Sequence, residues 1–272
     1  ITELVEKDEL VLYNSRLELV MQVVSVSSPV LSFLVLQFAS LRITLVLDAL
    51  SFFLAFGLVA LLPKKEEKTT GEKKLTFKVI FSDIKEGVHY IVNQKEIFFL
   101  LVMASSVNFF FAAFNYLLPF SNQLYGVQGA YATILTMGAI GSIVGALLAS
   151  KIKASMEILL FLLALTGLGV MIMGFTLPSY LTFSGNFICE LFMTMFNIHF
   201  FTQVQTKVEG EYLGRVLSSI YTLAILFMPI ATGLMSFLPS VHLHSFLIIG
   251  LGVVALSFLA LGYVRTRFEK ET

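Results

Sequence analysis

The sequence predicts an all-α integral membrane protein, a bundle in which eight helices cross the bilayer. Of the 272 residues, 57% are hydrophobic and only 13% are charged, whereas a soluble domain carries about 25% charged residues. The charged residues are also clustered, so that long apolar stretches separate the clusters. These stretches are predicted to be helices, because an open sheet would leave backbone groups without hydrogen-bond partners in lipid.

Eight stretches are long enough to span a membrane, since a helix needs about 20 apolar residues to cross the hydrocarbon core. They cover residues 17–38, 41–62, 97–120, 128–150, 156–177, 180–203, 212–238 and 243–264. Gly138, Gly141 and Gly145 lie on or near one face of the fourth stretch. Because small residues let helix backbones approach closely, this stretch is predicted to pack tightly against a neighbour.

Lysine and arginine concentrate in alternate connectors between the predicted spans. They fill the long polar stretch "PKKEEKTTGEKKLTFK", recur in the links 151–157 and 207–215, and return in the C-terminal tail. The intervening connectors carry only Arg42. This asymmetry is the positive-inside pattern. It predicts a multi-pass protein of the cell membrane, with the N-terminal stub, the 63–96 loop and the C-terminus in the cytoplasm.

The segment 75–96 mixes apolar and charged residues in a helical pattern. Phe77, Ile80, Ile84, Val88 and Ile91 recur at helical spacing, with lysine, aspartate and glutamate between them. This pattern predicts an amphipathic helix at the cytoplasmic surface, acting as a tether between two bundles. We therefore expect three regions: 1–62, the end of a first half with two spans; 63–96, the central loop; and 97–272, a six-helix half.

Two similar phrases, about two hundred residues apart, indicate an internal repeat. "VEKDEL" at 5–10 aligns with "VEGEYL" at 208–213, and a span containing a proline, Pro29 or Pro229, follows each. Two halves of six helices in the same orientation would produce this pattern. The repeat predicts that four further spans, roughly 110–130 residues, precede Ile1.

Four stretches carry a resemblance to a known family: "VEKDELVLYNS", "LDALSFFLA" at 47–55, "DIKEGVHYIVNQKEIFFLL" at 83–101 and "EYLGRVLSS" at 211–219. The chain resembles the C-terminal two-thirds of a major facilitator superfamily transporter, and more narrowly the macrolide-efflux and siderophore-exporter-like branch. The resemblance implies that its eight helices correspond to helices 5–12 of a twelve-helix bundle that is a monomer at full length.

The resemblance also implies a function. A transporter of this kind would export an amphipathic drug or a related small molecule in exchange for protons, by alternating access to a site at the bilayer midplane. An importer or a uniporter of the same fold, and a membrane sensor that transports nothing, remain alternatives.

The sequence does not predict an enzyme, a nucleic-acid-binding protein or a metal-binding protein. There is no phosphate-binding G-x-x-x-x-G-K, no H-E-x-x-H and no G-x-S-x-G, so the sequence predicts neither an enzyme nor a cofactor. The net charge is zero, which does not favour nucleic acid. A single cysteine and the two histidines of one loop do not predict a metal site. The expected partners are a small molecule, protons and lipid.

Candidate pathway residues are polar or aromatic groups inside the predicted spans. Glu190 lies near the centre of the sixth span, where an ionised carboxylate costs about 2.5–3.5 kcal/mol on insertion scales; it either exchanges protons or hydrogen-bonds to a neighbouring helix. Asn108 and Asn115 are expected to line the pocket, with hydrogen bonding between helices as the alternative, and Phe110 and Phe114 are expected to form an aromatic wall. Asp48 is a further candidate, with a structural role as its alternative.

Candidate gate residues lie in the cytoplasmic connectors. Arg215 in "LGRV" matches the family's cytoplasmic arginine and is expected to pair with Glu209, Glu211 or the connector near residue 150. The second-half counterpart of the family's loop motif falls at "GALLASKIKAS". That phrase keeps a glycine and the basic residues Lys151 and Lys153 but lacks the acid, so the gating ion pair of this half is expected to be weak.

Overall fold

A computed structural model describes residues 10–38, 41–60, 77–153, 155–175, 179–238 and 240–267. It contains the α-helices α1 (Leu10–Phe38), α2 (Leu41–Ala60), α3 (Phe77–Asn93), α4 (Lys95–Leu117), α5 (Ser121–Tyr125), α6 (Ala130–Ala149), α7 (Met156–Met173), α8 (Ser179–Lys207), α9 (Gly210–Ser236) and α10 (His244–Arg267). A 3-10 turn, Leu118–Phe120, connects α4 to α5.

The all-α membrane fold is confirmed: all regular structure in the described ranges is helical. Within the described residues, six helical segments are long and apolar enough to cross a membrane, namely Lys95–Tyr125, Ala130–Ala149, Met156–Met173, Tyr180–Lys207, Tyr212–Ser236 and His244–Thr266. They coincide with the last six predicted spans. The first two predicted spans fall on α1 and α2, which are helices of 29 and 20 residues. A total of eight crossings stays a prediction.

The chain divides into two compact units, residues 1–22 with 81–272, and residues 23–80. In the larger unit, α8 packs against both α6 and α7, α10 packs against α7 and α4, and α4 packs against α9. The smaller unit contains α2 and the later part of α1. The first part of the predicted central loop, residues 63–76, lies outside the described residues.

Glycines set the closest helix contacts of the larger unit. A Cβ atom at Gly141 or Gly145 of α6 would collide with the backbone carbonyls of Phe187 and Leu191 on α8. On α7, a Cβ atom at Gly169 would lie 2.7 Å from the Gly185 carbonyl oxygen of α8. The two helices can therefore reach α8 at this distance only because these positions have no side chain.

A single residue, Gln94, separates the amphipathic helix α3 from α4. Its backbone is extended, with φ −100° and ψ 93°, while its N–H still donates to the carbonyls of Tyr90 and Ile91. The predicted amphipathic helix therefore ends in a bend that leads directly into the first long helix of the larger unit.

Candidate functional site

A cavity of about 500 Å³ lies inside the larger unit. Four helices supply its walls: the first turns of α1, the middle of α4, the second half of α8 and the middle of α9. The first turns of α1 belong to this unit because they are tied to α8. Asn14 donates from Nδ2 to Gln205 Oε1 at 2.9 Å and to Thr202 Oγ1 at 3.2 Å.

Few polar side chains line this cavity. Asn14 and Glu18 come from α1, Asn108 from α4, and Asn197 and Gln205 from α8. Tyr13 and Tyr221 add phenol groups, and the remaining lining side chains are apolar. A mostly apolar chamber with a small number of placed polar groups is the usual composition of a small-molecule site.

Aromatic rings cover the α8 and α9 side of the cavity. Phe196 stacks on Phe200 with ring centroids 5.8 Å apart, and Phe200 meets the Phe201 ring edge-on at 5.2 Å. Phe201 in turn stacks on Tyr221 of α9 at 5.3 Å. These four residues form a continuous aromatic wall. The wall spans α8 and α9, two helices that a short connector joins.

Glu190 lies in the contact between α8 and α6. Ser142 of α6 donates from Oγ to Glu190 Oε2 at 3.4 Å, and a Cβ atom at Gly138 would lie 3.1 Å from Glu190 Cγ. One turn earlier, Asn186 is 2% exposed and donates from Nδ2 to the Ile134 carbonyl at 2.8 Å. Its Oδ1 accepts no hydrogen bond from the described residues. The half-buried Glu190 and the buried Asn186 thus both face α6, and the missing side chain at Gly138 leaves the space that they occupy.

Ion pairs gather at one end of the larger unit, which we call the charged end and define by Glu86, Glu96, Glu157, Lys207, Arg215 and Arg265. Arg215 Nη1 lies 3.2 Å from Glu86 Oε2 and thereby joins α9 to α3. Lys207 of α8 pairs with Glu96 of α4. Arg265 of α10 pairs with Glu157 of α7 at 3.2 Å. The starts of α4, α7 and α9 and the ends of α8 and α10 therefore meet on the same side.

The family model of the Major Facilitator Superfamily matches residues 1–225. The chain belongs to the major facilitator superfamily. No curated protein and no solved structure matches it. The resemblance stated from the connectors is confirmed at the level of the superfamily, and this chain is a multi-pass membrane protein of a transporter family.

Within this major facilitator protein, the predicted pathway residues occupy different environments. Asn108 lines the cavity, whereas Asn115, two turns later on α4, is exposed. Phe114 is 1% exposed and meets Phe246 of α10 edge-on. The Phe110 ring packs against Gly252 of α10. Both phenylalanines thus fill the α4–α10 contact, and the aromatic wall of the cavity comes from α8 and α9 instead.

Asp48 lies on α2, in the smaller unit, and is exposed. Its backbone carbonyl accepts a hydrogen bond of 2.7 Å from Ser51 Oγ. Its part in a pathway stays a prediction.

The predicted gate residues lie at or beside the charged end. Among the described side chains, Arg215 pairs with Glu86, which was not among the partners expected from the sequence. Glu209 caps α9 with its backbone, and its N–H donates to the Tyr90 hydroxyl at 3.4 Å. The Glu211 side chain is outside the described residues, and Lys151 and Lys153 are exposed on the connector after α6.

The pairing of Glu86 with Arg215 was not predicted, because the two residues lie far apart in sequence. One sequence feature could have indicated Glu86: it lies on the polar side of the amphipathic helix α3, in the turn that also contains Gly87 and Tyr90. The Tyr90 ring stacks on Tyr212 of α9 with centroids 4.8 Å apart. A Cβ atom at Gly87 would lie 2.8 Å from the Arg215 carbonyl oxygen. Helix α3 is therefore docked on the start of α9 by three adjacent contacts.

Proposed function

We propose that this transporter exports an amphipathic compound carrying a cationic group, in exchange for protons, by alternating access. The observation that supports this proposal is the cavity of about 500 Å³, which combines an aromatic wall with a carboxylate, Glu18, and three asparagines. Such a volume suits a drug-sized molecule, since ligand pockets typically measure about 300–1,000 Å³.

The aromatic wall favours a ligand with a flat or extended apolar body. Phe196, Phe200, Phe201 and Tyr221 offer ring faces in several orientations. A ring face also attracts a cation within about 6 Å. With Glu18 in the same cavity, these rings favour a positively charged head group over a negatively charged one.

Proton coupling is proposed for Glu190 and Asn186. A carboxyl inside a helix–helix contact is costly while it is ionised, so its presence within a membrane-spanning helix suggests a functional role. The Ser142 hydroxyl can stabilise the ionised form, since it already faces Oε2. When Glu190 is protonated, the acceptor Asn186 Oδ1, which has no partner among the described residues, is one turn away. Both charge states of the carboxyl would thus find a hydrogen bond.

The gate is proposed at two ion pairs of the charged end, Arg215–Glu86 and Lys207–Glu96. Opening the cavity towards this end would separate Arg215 from Glu86 and Lys207 from Glu96, pairs that are partly exposed. Partly exposed pairs contribute about 1 kcal/mol or less each, so they can break and re-form during a transport cycle. Glu209, Glu211, Lys151 and Lys153 are proposed to contribute charge around this gate on the cytoplasmic side.

An efflux assay tests the proposal. Cells that lack other exporters are loaded with a fluorescent lipophilic cation, and loss of dye is followed with the full-length protein present at an imposed proton gradient. Glu190→Gln should abolish gradient-driven efflux, while Glu157→Gln, which alters a carboxylate at the charged end, should keep it. Normal efflux by Glu190→Gln across the pH range would refute the proton role. Dye movement only into the cell would identify an importer.

A further inference from the structure

Polar side chains recur along one side of α8. Thr182, Asn186, Glu190 and Thr194 follow one another at intervals of four residues. Residues four apart lie on the same face of a helix, and the two threonines are 1% and 3% exposed. The carboxyl of Glu190 is therefore flanked along its own helix by other oxygen-bearing side chains.

Asn186 and Glu190 meet at a gap in the contact between α8 and α6. The gap exists because residue 138 of α6 is a glycine. A Cβ atom at Gly138 would lie 3.1 Å from Glu190 Cγ and 3.3 Å from Asn186 Cγ. One turn further along α6, Ser142 Oγ lies 3.4 Å from Glu190 Oε2. A carboxylate, an amide and a hydroxyl from two helices thus surround one small space.

One oxygen at this gap has no partner among the described residues. Asn186 is 2% exposed and donates from Nδ2 to the Ile134 carbonyl at 2.8 Å, whereas its Oδ1 accepts no hydrogen bond from them. Exchanging the two amide atoms would set an oxygen against the Ile134 carbonyl oxygen, so the atom without a partner is an acceptor. A buried acceptor in this state is costly, and a cation bound to Oδ1 would remove the cost.

The geometry suits a small cation. Hard cations take oxygen ligands, at about 2.4 Å for an ion of the size of Ca²⁺ or Na⁺. Two oxygens that hold one such ion at a right angle lie about as far apart as Ser142 Oγ and Glu190 Oε2, which are separated by 3.4 Å. The larger K⁺ would require these oxygens to move apart, against the close packing of α6 on α8.

The charge suits a monovalent cation. Glu190 is the one charged ligand of the three, so a single positive charge neutralises the group. A divalent ion would leave a net charge inside a helix contact surrounded by lipid, which is costly. Glu18 of α1 carries a further negative charge whose field acts on Glu190, and that field also attracts a cation.

We propose that the contact between α6 and α8 binds a sodium ion, coordinated by the Glu190 carboxylate, Asn186 Oδ1 and Ser142 Oγ. This inference goes beyond the proposed export function, although both use Glu190. Sodium binding is an equilibrium property, measured without a substrate and without a proton gradient. Its absence would leave the export proposal standing, and a failed efflux assay would leave sodium binding measurable.

Thermal unfolding of the full chain in detergent measures the site. Sodium chloride replaces choline chloride at constant ionic strength, and potassium chloride provides the second comparison. At a saturating concentration of Na⁺ the midpoint of unfolding should rise by about 5 °C, because a ligand that binds only the folded state stabilises it. Potassium should give almost none of this rise. Radioactive sodium retained at equilibrium gives the affinity directly.

Three variants test the ligands. Glu190→Gln should abolish the rise caused by Na⁺, since it removes the charged ligand. Asn186→Leu should weaken Na⁺ binding about tenfold and Ser142→Ala about fivefold, each through the loss of one neutral oxygen. Glu157→Gln is the matched control for a lost carboxylate, because Glu157 lies at the charged end. Asn115→Leu is the control for a lost amide, because Asn115 is exposed on α4.

Each result either supports or overturns the sodium site. A rise specific to Na⁺ that disappears in Glu190→Gln and persists in both controls supports it. An equal rise with K⁺, a full rise in Glu190→Gln, or no rise with Na⁺ in the unchanged chain overturns it. If Asn186→Leu does not fold, judged by circular dichroism, the smaller change Ser142→Ala still decides, and unchanged sodium affinity in Ser142→Ala would contradict the proposed coordination.

Discussion

The Arg215 guanidinium of α9 lies 3.2 Å from the Glu86 carboxylate of α3, and this ion pair is flanked by the stacked rings of Tyr90 and Tyr212. Two turns of an amphipathic helix are thus fixed to the start of a membrane-spanning helix. The contact couples the predicted central segment of the chain to the bundle that contains the cavity.

Reversing the charges of this pair should show how much the interaction between Glu86 and Arg215 contributes to stability. Glu86→Lys and Arg215→Glu are each expected to lower the free energy of unfolding by at most about 1 kcal/mol, because the pair is partly exposed. The double variant should recover most of the loss, which a double-mutant cycle of thermal unfolding in detergent measures. Additive losses at Glu86 and Arg215 would show that the pair contributes nothing.

Gly87 should tolerate no side chain, because even the Cβ atom of alanine would collide with the Arg215 carbonyl. In Gly87→Val the added atoms would meet Ser219 Oγ and the Arg215 carbonyl, which lie 2.6 Å and 2.8 Å from a Cβ position. We expect the substitution to destabilise the docked helix by about 1–3 kcal/mol, seen as faster hydrogen exchange of 82–93. Gly214→Ala is the control, since it has open space around it and alanine favours helix. Unchanged exchange in Gly87→Val would mean that α3 is not docked in solution.

The two asparagines of α4 should behave differently. Asn108→Ala removes a polar group from the cavity lining and should weaken binding of the transported cation about fivefold, the effect of one hydrogen bond of about 1 kcal/mol. Asn115→Ala alters an exposed position on the same helix and should leave affinity within twofold. Ligand titration followed by tyrosine fluorescence provides the measurement. Equal affinities for the two variants would remove Asn108 from the site.

Substitution of Phe201 should change substrate specificity, whereas substitution of Phe114 should lower the stability of the fold. Phe201→Ala opens the aromatic wall at its stack on Tyr221, so the rank order of transported cations should change while expression is kept. Phe114→Ala creates a void beside Phe246, in a core position, and should cost about 3–5 kcal/mol of stability. Expression, thermal unfolding and an efflux panel compare the two variants. A specificity change in Phe114→Ala without loss of stability would contradict this assignment.

The long helices were predictable because each stretch is apolar over the length of a bilayer, and length alone fixes such elements. The glycines of α6 could be predicted to form a packing face, because small residues at this spacing usually serve close contact between helices. The tight approach of Gly141 and Gly145 to α8 agrees with that expectation.

The cavity lining could be predicted only in part. Phe110, Phe114 and Phe201 have the same chemistry and lie on helices that are apolar all round, so the sequence carries little information on which way each ring points. Asn108 could be recognised because a polar group within such a helix is rare. The role of Asn14 could not, because its partners Thr202 and Gln205 are brought to it only by the tertiary fold.

The bend at Gln94 has a mechanical consequence. One extended residue links α3 to α4, and α4 lines the cavity with Ala104, Val107 and Asn108. A movement of α4 must therefore either separate α3 from α9 or be accommodated by backbone rotation at Gln94. A fluorescent reporter attached to the exposed His89 would then brighten or dim as a ligand fills a chamber several helical turns away.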